Sequence, residues 1–199
     1  GKKVRGRFNK DEIKRISEQF LPRCLQLVIG CASEPTLYKN YIELVESAKE
    51  TYKIPFVGFT TNGQLLSEEA IEKFVTSGLD ELTISVHGVT KDTYESFMVN
   101  ASYAKLLTVL TSLKKIRIRH GAASPKLRIN YTVNKSNLAE LRSFFDVYGD
   151  FGIHTLQLRP MVDVGETKYS YREFSQNELE QYHQILDEIQ EECKRRKIV

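Results

Sequence analysis

The feature that most constrains this chain is the spacing of its apolar residues, which switches between helical and strand periods about five times. Residues 9–20 open with Asn9 and Glu12 at the spacing of a capping box and carry Ile13, Ile16 and Phe20 on one face. Leu25 to Ile29 reads as a short apolar run, suited to a strand covered on both faces. After Pro35, Leu37, Tyr41, Leu44, Val45 and Ala48 recur at helical spacing, and Phe56 to Phe59 reads as the next strand. Ser67 is placed to cap a helix carrying Ala70, Ile71, Phe74 and Val75, with Gly78 at its C′ position. Leu82, Ile84 and Val86 form a strand ending at His87-Gly88, followed by helical turns from Thr90 to Lys115 with a break near Asn100. Leu127, Ile129, Tyr131 and Val133 alternate strictly, and Asn137 and Glu140 repeat the capping-box spacing before Leu138, Leu141, Phe144 and Phe145. Leu156 and Leu158 mark a last strand, ending at Arg159-Pro160. Ser175 and Glu178 open a long helix whose Leu179, Tyr182, Leu186, Ile189 and Cys193 form a seam that needs a partner surface.

Alternation of this kind requires each strand to cross back over a helix before pairing, so it predicts an α/β fold with parallel strands. A closed eight-stranded barrel takes about 250 residues. At 199 residues the chain is expected to form an open or incomplete barrel, or a doubly wound sheet. It also begins with a helix where βα architectures begin with a strand, which leads us to expect a first strand upstream. With 41% hydrophobic and 28% charged residues, the composition is that of an ordinary soluble globular protein. No apolar run approaches the roughly 18 residues of a membrane span, and no signal segment is seen, so no membrane partner is expected. The net charge of +3 is close to balance, with the basic excess gathered at Lys2, Lys3, Arg5, Arg7, Lys10, Lys14, Arg15 and Arg23. A solvated helix face explains that cluster better than nucleic acid does. Three cysteines (Cys24, Cys31 and Cys193) at unrelated spacings form neither a disulfide framework nor a zinc signature and suit a reducing cytoplasm.

In parallel α/β sheets ligands sit at the C-terminal ends of strands. Here those ends are Gly30-Cys31-Ala32-Ser33-Glu34-Pro35, Thr60-Thr61-Asn62-Gly63, Ser85-Val86-His87-Gly88, a strand containing Asn130, Thr132 and Asn134, and Gln157-Leu158-Arg159-Pro160. Each has a plain structural explanation: Asn62-Gly63 is turn chemistry, Ser85 and His87 are polar groups near a core, and Asn130 and Thr132 are the wet side of an alternating strand. Glu34 is different, because a carboxylate at the mouth of a buried strand is costly unless it meets a cation or hydrogen-bond donors. Arg159 before Pro160 poses the same question with opposite sign.

The ordered series Glu34-Pro35-Thr36-Leu37, Thr61-Asn62-Gly63 and Gly78-Leu79-Asp80-Glu81-Leu82-Thr83-Ile84-Ser85-Val86-His87-Gly88, followed by Asp92-Thr93-Tyr94-Glu95, resembles the radical S-adenosylmethionine (radical SAM) enzymes. The resemblance runs from about Leu25 to Pro160. It implies a partial (β/α)6 TIM-like barrel holding S-adenosylmethionine and a 4Fe–4S cluster. The reduced cluster would cleave the sulfonium to methionine and a 5′-deoxyadenosyl radical, which removes a hydrogen atom from substrate. Carried over residue by residue, Ala32, Ser33, Glu34 and Pro35 would hold the cofactor's ammonium group. Thr61 and Asn62 would lie near the cofactor. Ser85 and His87 would reach its ribose or carboxylate, and Asn130 and Arg159 its ribose, carboxylate or the substrate. The barrel would span residues 1–165, with residues 166–199 a helical extension packing on it or leading onward. The resemblance also implies a reductant such as flavodoxin or ferredoxin. The substrate is open, with peptide or protein modification and cofactor biosynthesis both in view, and no catalytic residue is assigned.

The family holds its cluster with a CxxxCxxC loop, and this chain has none, so no metal ligand is assigned within it. We therefore expect the cluster loop and first strand to be missing, the chain alone to be inactive, and the Leu25–Ile29 strand to be covered by the N-terminal segment or paired with a second copy as an edge-strand dimer. Two other readings stand beside this one. One is a cluster-independent aldolase or lyase using Glu34, His87 and Arg159 as acid, base and anion clamp. The other is a non-enzymatic module binding protein or nucleic acid, which the near-neutral charge and lack of aromatic-basic interleaving disfavour.

Overall fold

The structure, a computed structural model, describes residues 8–30, 33–161 and 174–199. Five strands, β1 (Gln26–Ile29), β2 (Phe56–Thr61), β3 (Glu81–Ser85), β4 (Lys126–Val133) and β5 (Ile153–Pro160), form one sheet in the order β1-β2-β3-β4-β5. Every neighbouring pair is parallel. A doubly wound sheet reverses its strand order at a switch point. Here the order never reverses, and right-handed crossovers then put every connecting helix on the same side. That decides between the two α/β expectations: the chain is an open TIM-like barrel wall.

The helices are α1 (Lys10–Phe20), α2 (Tyr41–Glu46), α3 (Glu68–Thr76), α4 (Lys91–Phe97), α5 (Tyr103–Arg119), α6 (Phe144–Tyr148) and α7 (Gln176–Arg196). Their starts follow side-chain chemistry: Asn9 and Ser175 form capping boxes with Glu12 and Glu178, and Ser67, Thr90 and Ser102 cap α3, α4 and α5. The expected break near Asn100 separates α4 from α5, with Asn100 itself at φ +63°. The Asn137–Glu140 spacing makes no capping box. The chain there runs as a 3₁₀ turn, Ala139–Ser143; Glu140 turns away to the loop after β3, and Asn137 bridges that loop to its own connection.

The core lies between the helices and one face of the sheet. Val57, Phe59, Leu82, Ile84, Leu127, Ile129, Tyr131 and Val133 point into it and are buried against Ile71, Phe74, Leu106, Leu110 and Leu113. Phe59 and Phe74 meet with ring centroids 4.8 Å apart, and Tyr41 packs on both. Because side chains alternate along a strand, the register sets Gly58 and Thr60, Thr83 and Ser85, Arg128, Asn130 and Thr132, and Gln157 and Arg159 together on the opposite, inner face. That face is polar. Arg128 reaches Glu81 at 3.7 Å and donates to Asn130 Oδ1 at 3.3 Å. An irregularity at His154 keeps β5 in step with β4, so that Gln157 faces inward beside Asn130.

The strand β1 departs from the both-faces expectation. Gln26 and Val28 are exposed, Val28 by 51%, because no layer covers the inner face there. Among the described residues no strand pairs with its outer edge, and α1 buries no side chain against it. At the other edge, Val199 N–H donates to the His154 carbonyl and its own carbonyl accepts from Leu156 N–H, both at 2.9 Å. The α7 seam finds its partner in this core through Tyr182, Ile185, Ile189 and Cys193, with Ile185 rather than Leu186 most deeply set. Beneath the sheet, Asp80 accepts from Lys49 Nζ at 2.8 Å and from Val57 N–H at 2.7 Å, tying three segments together. Among the described residues no helix is long and apolar enough to cross a membrane.

Phe74 is fully buried in the aromatic cluster behind β2. Phe74→Ala should cost about 3–5 kcal/mol in urea unfolding, the usual loss for a large side chain removed from a packed core. A loss below about 1 kcal/mol would contradict the packing described.

Candidate functional site

The C-terminal ends of β1, β2 and β3 border a cleft of about 280 Å³ lined by Gly30, Ser33, Glu34, Thr60, Thr61, Asn62, Ser85, His87 and Met98. Its geometry begins with a backbone turn. Gly30 leaves β1 at φ +89°, and a Cβ there would stand 2.4 Å from the Thr60 carbonyl, so no other residue fits this approach of the two strand ends. The chain then returns through Glu34, which caps the Pro35–Leu37 turn.

Glu34 answers its own desolvation cost with donors. Its Oε1 accepts from Thr36 N–H at 3.1 Å, Thr36 Oγ1 at 2.6 Å and Thr61 Oγ1 at 2.6 Å, and its Oε2 accepts from Asn62 N–H at 2.8 Å. The carboxylate thus staples the loop after β1 to the end of β2. The Thr61-Asn62-Gly63 stretch is a turn as well: Thr61 Oγ1 accepts from Gly63 N–H, and Asn62 Oδ1 accepts from Gln64 N–H. No lysine or arginine pairs with Glu34 among the described residues. Among those residues it is the one charged side chain lining the cleft, beside a neutral histidine, so the cleft carries an uncompensated negative charge.

On the far wall Ser85 ends β3, and His87 follows in a loop held by the next β-α connection. His87 Nδ1 accepts from Thr132 N–H at 3.0 Å. Asn137 Nδ2 donates to the carbonyls of His87 and Thr132, at 3.0 and 2.9 Å. Glu140 accepts from Val89 N–H, Thr90 N–H, Thr90 Oγ1 and Thr93 Oγ1. Burial would raise the Glu140 carboxyl, but these hydrogen bonds outweigh it and leave its pKa lowered. Asn137 and Glu140 therefore bind a partner loop about 50 residues earlier, which is why their capping-box spacing is not used. Burial pushes the His87 imidazole down to about 4, so it is neutral at pH 7.

Of the residues expected at the site, Ser33, Glu34, Thr61, Asn62, Ser85 and His87 line one cleft, and Pro35 stands directly behind Glu34. Ala32, like Cys31, lies outside the described residues. Asn130 shares the inner face beside Ser85 but is not in the cleft lining. Arg159 sits farther along that face on β5, exposed, donating to Gln157 Oε1 at 2.6 Å. Glu34, His87 and Arg159 are not brought together as an acid, base and anion clamp. Gly30, Thr60 and Met98, none of them assigned a contact from the sequence, complete the lining. Gly30 and Thr60 follow from the strand ends, but Met98 comes from the link between α4 and α5, which no periodicity reveals. Among the described residues no three His, Cys, Asp or Glu side chains are grouped to hold a metal ion, and Cys24 Sγ is turned to the Gln26 carbonyl.

The model of the radical SAM superfamily matches residues 3–145. A probable GTP 3′,8-cyclase of Saccharolobus solfataricus is 26% identical over 171 residues, covering 85% of this chain and 52% of that protein. One of Sulfurisphaera tokodaii is 25% identical over 184 residues, covering 91% and 55%. The chain spans about half the length of the curated relatives it matches. Among solved structures, native anSMEcpe with bound AdoMet superposes with a TM-score of 0.72 at 15% identity, covering 98% of this chain and 54% of that one. Streptococcus suis SuiB bound to S-adenosylmethionine gives 0.65 at 16% identity, covering 86% and 37%. These likenesses bear out the TIM-like barrel fold.

The depressed His87 pKa links stability to pH. The unfolded imidazole titrates near 6.5 and the folded one near 4. As pH falls through that window the unfolded chain takes up a proton that the folded chain refuses, so stability is lost on acidification and regained as pH rises. Allowing for solvent at the half-buried ring, the wild-type chain should lose about 2 kcal/mol more than His87→Asn between pH 7.5 and 4.5. Parallel pH profiles in urea melts would contradict the shift.

Proposed function

The chain belongs to the radical SAM superfamily, and we propose that its cleft is the S-adenosylmethionine site of an enzyme that initiates radical chemistry. The observation that carries this reading is the unpaired charge of Glu34. A cleft lined, among the described residues, by one carboxylate, no lysine or arginine and a neutral histidine favours a cationic ligand, and S-adenosylmethionine carries both an ammonium and a sulfonium. Its four donors hold the Glu34 carboxylate still and leave lone-pair capacity on Oε2 for an ammonium. Ser33 stands beside it, while Ser85 and His87 offer hydrogen bonds to the sugar or carboxylate from the opposite wall. Asn130 and Arg159, on the open inner face, are placed to meet the substrate or the outer parts of the cofactor. When bound, S-adenosylmethionine would supply, on one-electron reduction of its sulfonium with loss of methionine, a 5′-deoxyadenosyl radical able to take a hydrogen atom from substrate.

The residues present do not fit the family's 4Fe–4S cluster: there is no CxxxCxxC run, Cys24 is turned to a backbone carbonyl, and Cys193 packs in α7. We assign these residues the cofactor's cradle and not the cluster's ligands. The division into a barrel over residues 1–165 and an extension over residues 166–199 belongs to the same proposal. So do electron supply by a flavodoxin or ferredoxin and a cytoplasmic, reducing location, which the free Cys24 and Cys193 suit. The probable GTP 3′,8-cyclase relatives favour a small nucleotide substrate over a peptide.

Calorimetric titration of the 199-residue chain with S-adenosylmethionine should show binding. Glu34→Gln, which removes the charge with little change of shape, should weaken it by roughly 10-fold or more, the worth of one charge-assisted contact. Equal affinity in the two chains would remove Glu34 from the site. Iron and sulfide treatment of this chain should yield no 5′-deoxyadenosine, and turnover would overturn the reading that these residues hold no cluster.

A further inference from the structure

Met98 is the one apolar side chain lining the cleft among the described residues; the rest of the lining is glycine, hydroxyl, amide, carboxylate and imidazole. It belongs to no regular element. The helix α4 ends at Phe97, and the link to α5 passes through Asn100 at φ +63°, a left-handed conformation that a residue with a Cβ adopts at a cost. Val99, next to Met98, is 82% exposed. A half-buried methionine is flexible enough to follow such a link wherever it goes, so whatever fixes the link fixes this wall of the cleft.

The link is fixed by a side chain from the loop after β2. Gln64 pairs with Ser102 as a neighbouring strand would: its Oε1 accepts from Ser102 N–H at 2.8 Å, and its Nε2 donates to the Ser102 carbonyl at 3.2 Å. The same Nε2 donates to the Tyr94 hydroxyl at 3.1 Å, which uses both of its hydrogens. One amide therefore grips the chain before Met98, at Tyr94, and after it, at Ser102. Between those points Met98 N–H donates to the Tyr94 carbonyl and the Met98 carbonyl accepts from Ala101 N–H, both at 2.9 Å. Gln64 is itself held, since its N–H donates to Asn62 Oδ1 at 2.9 Å. Lys105 Nζ donates to the Leu66 carbonyl at 2.7 Å, and Glu95 Oε1 accepts from Tyr103 N–H at 3.0 Å, so the start of α5 is anchored as well.

Glu34 alone would attract any ammonium. A thioether in the same cleft favours a ligand with alkyl surface around its charge, because a bare ammonium gains nothing from the apolar contact and loses water to make it. We propose that Met98 is a specificity-determining residue that selects alkyl-substituted cations such as a sulfonium over bare ammonium ions, and that Gln64 is the positioning residue that holds it at the cleft wall. The sulfonium rests on the cofactor reading above; the Gln64 clamp does not.

Methyl spectra of the chain labelled with ¹³C-methyl methionine contain two signals, from Met98 and Met161, and Met98→Leu assigns them. Met98 should give one narrow signal away from the free-residue position, and that signal should move on titration with S-adenosylmethionine. Gln64→Ala should carry it toward the free-residue position and weaken S-adenosylmethionine binding roughly 3- to 10-fold. Gln64→Glu, which keeps an acceptor for Ser102 N–H, should recover part of both losses. Met98→Gln, similar in length but polar, should bind S-adenosylmethionine roughly 3- to 10-fold more weakly, the worth of an apolar contact of about one methylene, whereas Met98→Leu should bind nearly as wild type does. L-lysine, used as a bare-ammonium competitor, should compete equally with wild type and Met98→Gln. A free-residue Met98 signal in the wild-type chain, or one that Gln64→Ala leaves in place, overturns the clamp. Equal S-adenosylmethionine affinity in wild type and Met98→Gln overturns the selection. Absence of S-adenosylmethionine binding in every chain, with the Met98 signal still dependent on Gln64, upholds the clamp and removes the cofactor reading instead.

Discussion

A parallel sheet covered by helices on one side only places a strict demand on its strands. Each must present apolar side chains to the helices and polar ones to the opposite face, where no protein layer takes up its hydrogen bonds. The strand β4 meets this demand over its whole length, with Leu127, Ile129, Tyr131 and Val133 buried while Arg128, Asn130 and Thr132 face inward. Because every neighbouring pair of strands is parallel, all the C-terminal ends lie along one rim. The cleft, its charge and its donors all follow from that one-sided arrangement.

Along the rim, side chains replace the hydrogen bonds that regular structure no longer supplies. Glu34 joins the loop after β1 to the end of β2 through four donors, and Asn137 and Glu140 join the loop after β3 to the connection after β4. Each cross-link spans neighbouring βα units, so cleft walls contributed by separate strands are held in one arrangement before any ligand arrives. Such preorganisation spares a ligand the cost of ordering loops. It also separates two roles for carboxylates in the same rim. Glu34 lines the cleft with charge to spare, whereas Glu140 is spent on the start of α4.

Much of this was legible from residue spacing because it is local. Strict alternation revealed β4, Ser67 and Ser175 revealed helix starts, and the polar strand ends revealed the rim. Glu34 stood out because a carboxylate at a strand mouth needs a reason. What was hidden depends on partners distant in the chain. Asn137 and Glu140 have the spacing of a local cap, but Asn137 donates to the distant His87 carbonyl and Glu140 accepts from the Val89 and Thr90 amides. Gln26 interrupts the run read as a doubly covered strand, and it marks the face that nothing covers. Met98 enters the cleft from an irregular link, and Arg159 lies on β5, at the edge of the sheet opposite β1.

The central claim is that this rim, and not another surface of the protein, takes a cationic nucleoside ligand. The most direct measurement is a backbone amide map of the chain titrated with S-adenosylmethionine. The account predicts the largest shifts at Gly30, Ser33, Glu34, Asn62, Ser85 and His87. Shifts centred instead on the cavity at the far end of the sheet, around Arg117, Gly121 and Gly152, with the rim amides unmoved, would contradict it.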